Sequence, residues 1–285
     1  MKIHFIVNPR SGRATAALEA VRSFARQHGA PVNLTERSGH ASDLARAALN
    51  DHAGLIVAVG GDGTMNEIAR TLVHTDAILG LVPCGSGDGL GRNLGIHGPI
   101  DRALQLLSDG CPRRIDTGVA NGRPFFVVAG LGFEAEIAAR FNQLTARGFW
   151  RYLTTSARAW RQFTPLSCTV NYGNHRERVN VLTLAVANTD QYGNNARIAP
   201  GARVDDGLLD LTVVPPVSLV RAPFLFIRLF SGRLNPPAVW RQQGERFVVD
   251  DLAAGLMLHT DGETQPAGPR VEFTVQRSSL RVMTP

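Results

Sequence analysis

Short apolar runs separated by stretches of helical spacing constrain the first 119 residues most tightly. Ile3–Val7, Leu55–Val59 and Ile78–Val82 are apolar almost throughout, which suits strands buried on both faces rather than strands with one wet side. Between them, Ala14–Gln27 sets Ala17, Leu18, Val21, Phe24 and Ala25 on one helical face. Ser42–Leu49 and Glu67–Val73 read as further helices, and Val32–Thr35 as a short strand. Alternation of this kind predicts a parallel sheet wrapped by helices on both sides, a doubly wound α/β domain. Ligands on such sheets bind outside the carboxyl ends of the strands. The polar loops Asn8–Gly12, Thr35–His40, Gly60–Thr64 and Cys84–Gly89 all fall there.

From about Pro124 the pattern changes. Strand-like runs dominate: Phe125–Ala129, Ser167–Tyr172, Val179–Ala187, Leu208–Val214, Arg246–Val249, Gly255–His259, Val271–Gln276 and Leu280–Val282. One helical excursion, about Glu134–Phe163, interrupts them. Runs of strands joined by turns favour a mainly β, sandwich-like second domain. The expected division is residues 1–120 and 121–277, with the last strand, about 278–285, returning to the first domain.

At 285 residues and 44% hydrophobic content, the chain can bury one large core or two medium ones. Cys84, Cys111 and Cys168 form no CxxC pair and the histidines show no zinc spacing, so a reducing, cytoplasmic setting is expected. No leader peptide is visible and no run reaches the ~20 apolar residues of a membrane span. Any membrane is therefore visited at its surface, peripherally. Net charge is +6, and Lys2 is the only lysine. An arginine-based positive balance suits anionic lipid or nucleotide. Aromatics do not interleave with the arginines as in an RNA-binding sheet, so no nucleic-acid partner is expected. Homodimerisation is compatible with the sequence and not required by it.

The chemistry concentrates in Gly60-Gly61-Asp62-Gly63-Thr64-Met65-Asn66-Glu67, between an apolar strand and a helical run. The glycines allow close backbone approach and admit the positive φ expected of a tight strand-to-helix turn. Successive N–H groups can then converge on an anion. Asp62 would repel a phosphate unless a cation lay between them, so the loop reads as a site for a nucleotide with Mg²⁺. A plain turn would not require the ordered Asp, Thr, Asn and Glu.

Together with Asn8-Pro9-Arg10-Ser11-Gly12, Pro83-Cys84-Gly85-Ser86-Gly87-Asp88-Gly89-Leu90-Gly91-Arg92 and His259-Thr260-Asp261-Gly262-Glu263, this motif resembles the signature of the diacylglycerol kinase, sphingosine kinase and YegS-like lipid kinase superfamily. NAD kinases and phosphofructokinases share only the Gly-Gly-Asp-Gly core. The resemblance implies a nucleotide-binding first domain of phosphofructokinase and NAD-kinase type and a lipid-binding β second domain. It also implies transfer from ATP, with Mg²⁺, to a primary hydroxyl of a lipid, diacylglycerol-like, at a membrane surface. The alternatives are an NAD kinase and a catalytically silent nucleotide-binding regulator.

By the same resemblance, Asn8, Pro9, Ser11, Gly60, Gly61, Asp62, Gly63, Thr64, Gly85 and Ser86 contact the nucleotide. Thr35 and Arg37 serve its adenosine part, although Ser38 or His40 could merely cap the next helix. Asp261 is the base, and Asp62 and Glu263 complete the catalytic set, Glu263 also helping to hold Mg·ATP. Arg203 and Leu208, through their carbonyls, and Asp206, through its carboxylate, hold a structural Mg²⁺, while Asp205 and Asp210 are expected in solvent. Asp88 and Asp116 are candidates for a carboxylate–water–Mg²⁺ network. The chain departs from the family pattern at Asp88, where asparagine is usual, and at Gly89, where diacylglycerol kinases often carry Asp. Ala138 stands where sphingosine kinases place an acid against the lipid amine, which argues against a sphingoid base. Arg147–Tyr152 resembles a family segment; Arg151 is a candidate to reach a phosphate, with a snorkelling surface arginine as the equal alternative. For Pro216–Phe230 a core-packed helix is expected ahead of an interfacial one.

Overall fold

The computed structural model describes residues 1–142, 163–218, 220–235 and 237–285. The Arg147–Tyr152 segment, with Arg151, and most of the Glu134–Phe163 excursion lie outside the described residues. The chain divides into two compact units, Met1–Thr117 with Arg277–Pro285, and Gly118–Gln276.

In the first unit the elements run β1 (Ile3–Val7), α1 (Ala14–Gln27), β2 (Val32–Leu34), α2 (His40–Asn50), β3 (Leu55–Gly60), α3 (Asp62–Leu72), β4 (Ile78–Pro83), α4 (Gly89–Asn93), α5 (Ile100–Asp109) and β5 (Cys111–Ala120). Strands β2, β1, β3 and β4 lie side by side and parallel, with Ile3 opposite Leu55 and Leu55 opposite Ile78. Alternate side chains of β1 and β3 (Phe5, Val7, Leu55, Val57, Val59) pack on Ala14, Ala17, Val21 and Ala25 of α1 and Ala103, Leu104 and Leu107 of α5. The intervening Ile6, Ile56 and Ala58 are also buried. They point to the opposite face, because strand side chains alternate, and α2 and α3 pack together against β1 and β3. The last strand, β16 (Val271–Thr284), runs through Arg281 and Val282 parallel to Ile78 and Leu79 of β4, and also pairs with β5.

The second unit carries β6 (Arg123–Phe125), β7 (Val128–Gly132), α6 (Phe133–Asn142), β8 (Leu166–Tyr172), β9 (His175–Val181), β10 (Thr183–Ala187), β11 (Leu209–Val214), α7 (Ala222–Phe230), β12 (Trp240–Gly244), β13 (Arg246–Asp250), β14 (Met257–Thr260) and β15 (Glu263–Pro266). One sheet is six-stranded and antiparallel throughout, in the order β12-β11-β10-β7-β14-β15. Facing it, β9, β8, β13 and the first half of β16 pair antiparallel. Leu131, Leu184, Leu211 and Leu258 from the first layer meet Val170, Phe247, Val249 and Phe273 from the second in one buried core. The fold is thus an α/β unit and a β sandwich-like unit, the fold class expected from the sequence.

Several local expectations are corrected. Val179–Ala187 is two strands, because the chain passes from one sheet to the other at Leu182, whose N–H bonds Val214 O at 2.8 Å. Phe125–Ala129 also breaks, since the Phe126 and Val127 N–H groups bond the Asp261 carboxylate instead of a neighbouring strand. Helix α3 starts at Asp62, five residues before the expected Glu67, so the glycine motif supplies its first turn. Asp210, expected in solvent, is buried and meets Arg241 at 3.1 Å and Gln243 at 3.3 Å. Helix α7, expected to pack into the core, buries only Ala222.

Candidate active site

Three loops from the carboxyl ends of adjacent strands meet in the first unit. After β1, Asn8 donates its amide N–H to Thr64 Oγ1 at 3.1 Å and accepts the Arg10 N–H on its own carbonyl. Pro9 O accepts the Thr15 hydroxyl. Gly12 has φ +47°, and a Cβ there would run into the Cys84 carbonyl. After β3, a Cβ on Gly61 would stand 2.8 Å from Ser11 Oγ and 3.5 Å from Gly85 Cα. After β4, a Cβ on Gly85 would stand 2.9 Å from Gly61 Cα. The glycines of the motif are needed for this close approach and not for positive φ, which none of Gly60, Gly61 and Gly63 adopts. That corrects the conformational half of the sequence argument. Gly63 faces open space, with nothing within 4 Å of where its Cβ would stand.

The first intrahelical bond of α3 runs from Met65 N–H to Gly61 O. The N–H groups of Asp62, Gly63 and Thr64 therefore have no partner inside the helix, and they lie at the positive end of its dipole. Backbone donors and a bare glycine surface at one helix start can take a phosphate.

Beside these donors stand two carboxylates. Asp62 accepts the N–H groups of Asp88 at 3.1 Å and Gly89 at 3.2 Å, which ties the second loop to the third. Asp88 is buried in a left-handed conformation, φ 52°, with His97 Nδ1 at 3.2 Å. Burial, and then the nearby Asp62 charge, push the Asp88 carboxyl up to about 6, with His97 and Arg92 opposing. Both carboxylates line a cavity of about 20 Å³ with Gly60, Met65 and Leu90. Two like charges this close suit a cation. Among the described residues no three His, Cys, Asp or Glu side chains gather as a metal cage. Mg²⁺ does not need one, because it commonly rests on one or two carboxylates plus phosphate oxygens and water.

The remaining expected residues of this unit are more dispersed. Thr35 is buried, and its N–H bonds Val7 O at 2.8 Å. Arg37 turns to Asp43 at 2.5 Å, and together with Arg46 holds that carboxyl below its usual range. Neither Ser38 nor His40 caps α2. Glu67 does so, its carboxylate accepting the Gly39 and Ala41 N–H groups at 2.9 and 3.0 Å. Ser86 is exposed. Asp116 is buried on β5 and accepts the Ser278 N–H at 2.7 Å.

In the second unit, Asp261 and Gly262 form the two-residue turn between β14 and β15, with Thr260 paired to Glu263. Both have positive φ, 51° and 84°, as the favoured hairpin turn demands. The turn aims the Asp261 carboxylate at the strand break, where Phe126, Val127 and Val128 donate N–H groups at 2.9, 2.9 and 3.1 Å. Glu263 pairs with Arg123, which also reaches Gln265 at 3.4 Å. Arg203, Asp206 and Leu208 share the turn before β11; Asp206 accepts the Leu208 N–H at 3.0 Å and Arg203 meets Asp205 at 3.3 Å.

Sequence reading missed the partners that hold these groups: Glu67, His97 and Arg123. Glu67 sits inside the motif and was legible there, whereas Arg123 lies 140 residues from Glu263 and has no local signal. A cluster of buried His259 with half-buried Glu134 and Tyr192 was also missed. The Tyr192 hydroxyl donates to Glu134, and His259 Nε2 lies 3.3 Å from the same carboxylate. Burial pushes the Glu134 carboxyl up, with His259 pulling it back.

Comparison with known proteins agrees with this architecture. Residues 2–120 match the diacylglycerol kinase catalytic domain, and residues 127–284 match the YegS C-terminal NAD kinase beta sandwich-like domain. A probable YegS-like lipid kinase of Pseudomonas syringae pv. tomato is 30% identical over 258 residues, 89% of this chain and 83% of that one. A diacylglycerol kinase of Mycobacterium tuberculosis is 28% identical over 299 residues, covering 100% and 95%. The crystal structure of a diacylglycerol kinase from Bacillus anthracis superimposes with TM-score 0.75 at 17% identity, covering 100% of this chain and 97% of that one. Another structure from that organism gives TM-score 0.81 at 19% identity, covering 100% and 95%. The chain belongs to the diacylglycerol kinase and YegS-like lipid kinase family, and is thus a lipid kinase, a phosphotransferase. Among the described residues no helix is long and apolar enough to cross a membrane.

Proposed function

We propose that the protein transfers the γ-phosphoryl group of ATP, with Mg²⁺, to a primary hydroxyl of a diacylglycerol-like lipid. The observation that carries this reading is the corner where Ser11, Gly61 and Gly85 leave backbone exposed beside the paired carboxylates of Asp62 and Asp88. Asn8, Pro9, Ser11, Gly60–Thr64, Gly85 and Ser86 would bind the nucleotide, with Thr35 and Arg37 toward its adenosine end. The first-turn N–H groups of α3 would hold phosphate oxygens without a Walker-type lysine, and Lys2 is the only lysine present.

Asp62 and Asp88, with Asp116 as a further member, would hold Mg²⁺, and Glu263 would serve the catalytic set as the family resemblance implies. When bound, the ion screens phosphate charge and acts as a Lewis acid. Arg203, Asp206 and Leu208 would hold a second, structural Mg²⁺. Asp261 would accept the proton of the attacking lipid hydroxyl. Its three N–H donors fix the carboxylate so that little reorientation is needed at that step. Ala138 offers no carboxylate to a sphingoid amine, and the mycobacterial relative's name supports a diacylglycerol-like acceptor.

The test is incubation with γ-labelled ATP, Mg²⁺ and mixed micelles of single candidate lipids, with NAD in a parallel tube. Label in the diacylglycerol extract is expected. Label confined to another lipid would correct the acceptor, and NADP formation without lipid labelling would overturn the reading in favour of an NAD kinase.

A further inference from the structure

Helix α7 is anomalous in a water-soluble setting. Phe224 is 67% exposed, Ile227 65% and Phe230 46%, and Val220, just before the helix, is 80% exposed. At about 100° per residue these four fall within roughly a third of the helix circumference, so they form a continuous apolar strip rather than scattered exposures. Contiguous apolar surface is uncommon on a free-standing soluble protein and marks a contact face. The opposite side is seated on the second unit through buried Ala222 and half-buried Leu225, Phe226 and Leu229, and Leu229 O accepts the Arg197 N–H at 2.9 Å. The strip is therefore presented outward.

Charge identifies what covers it. From Leu211 to Gly244 the sequence contains no Asp or Glu, and it contains Arg221, Arg228, Arg233 and Arg241. Arg241 is engaged by buried Asp210. Arg221, Arg228 and Arg233 are exposed. Arg221 and Arg228 are seven residues apart and so flank the strip on one side. Apolar side chains framed by arginines whose stems can lie along a lipid boundary and whose heads reach phosphates fit an anionic bilayer surface. A protein partner would require acidic side chains in the same frame, whereas lipid phosphates supply that charge in every orientation.

We infer that α7 seats the protein on anionic membrane, with Phe224, Ile227 and Phe230 entering the headgroup–acyl boundary and Arg221 and Arg228 held by lipid phosphates. The inference rests on the lipid-kinase reading, because an enzyme whose acceptor stays in the bilayer must remain at the surface long enough to draw it out. Surface binding needs no turnover and can be measured without ATP, so failure of the acceptor assignment and failure of this inference give separate results.

The experiment is flotation of the full-length protein with vesicles of equal parts phosphatidylglycerol and phosphatidylethanolamine, and with phosphatidylcholine vesicles. It is run for wild type, for Phe224→Asp with Ile227→Asp, and for Arg221→Gln with Arg228→Gln. Thermal midpoint and turnover of a monomerically dispersed short-chain diacylglycerol serve as controls. Wild type should float with the anionic vesicles. The apolar pair should lower vesicle affinity on the order of a hundredfold while leaving both controls unchanged. The arginine pair should weaken binding to anionic vesicles alone, and added salt should mimic it.

Failure of wild type to bind, or equal binding by both variants, would overturn the inference. So would a wild-type dimer that the apolar pair splits without changing flotation, since the strip would then cover a second copy. Loss of short-chain turnover at an unchanged thermal midpoint would place the helix at the acceptor rather than the membrane. If the apolar pair lowers the thermal midpoint, the arginine pair decides the question alone.

Discussion

Asp88 shows how one residue can be recognisable in sequence and still owe its behaviour to folding. Its αL backbone, φ 52°, is one that Asn and Asp tolerate better than other non-glycine residues, so the backbone there admits either residue. Folding adds the desolvation and the Asp62 charge that push its carboxyl up to about 6 from 3.8. A raised folded-state value means the protonated form is favoured by the fold. The group's contribution is thus fully present below about pH 4 and is lost as pH rises through about 6. Asp88→Asn should therefore stabilise the protein relative to wild type above about pH 7 by on the order of 1–3 kcal/mol, with the gap closing below about pH 4. Denaturation at both pH values checks this, and a gap independent of pH would sink it. Asp62→Asn should lower kcat roughly 10²–10⁴-fold with intact folding, read by steady-state kinetics. Asp62 and Asp261 were legible as singular acids in glycine settings. Their anchors were not, because the N–H groups of Gly89 and Val127 carry no side-chain signature.

Among the elements, the strands β1, β3 and β4 and helix α1 were readable because period and length agree. The α1 bounds coincide with the apolar pattern at Ala17, Val21 and Ala25. Helix α5 carried a comparable signal in Ala103, Leu104 and Leu107 and was overlooked. Short β12 and β15 have no apolar run to announce them, since their strand character comes from pairing with β11 and β14. The breaks at Leu182 and at Phe126–Val127 were invisible for a different reason. Local propensity continues through both, and tertiary bonding interrupts them. The glycine loops show the same limit, because sequence signalled glycine while packing determined why. Gly85→Ala would press a Cβ to 2.9 Å from Gly61 Cα, backbone that cannot swing aside. Loss of about 1–3 kcal/mol of stability is expected, with nucleotide affinity falling alongside. Gly63→Ala meets nothing within 4 Å, so it should cost little stability and act on nucleotide binding alone. Paired thermal melts and nucleotide titrations of the two variants separate these cases.

For the whole molecule, residues 277–285 sit in the first unit with β16 paired to β4. Truncation after Gln276 should remove the half of β16 that pairs with β4 and the Ser278 N–H that Asp116 accepts, and leave the first unit poorly folded. Loss of its cooperative thermal transition would show this, and an unchanged transition would contradict it. The exposed apolar strip on α7 was ambiguous in sequence because an apolar run reads the same whether it is bound for a core or a surface. The central claim remains phosphoryl transfer to a lipid hydroxyl with Asp261 as base. Its most direct test is the rate of label transfer from γ-labelled ATP into diacylglycerol by wild type and Asp261→Asn, with ATP affinity measured on both. The account predicts lipid labelling by wild type, a roughly 10²–10⁴-fold slower rate for the variant and matched ATP affinity. Equal rates for the two, or label that never enters lipid, would contradict it.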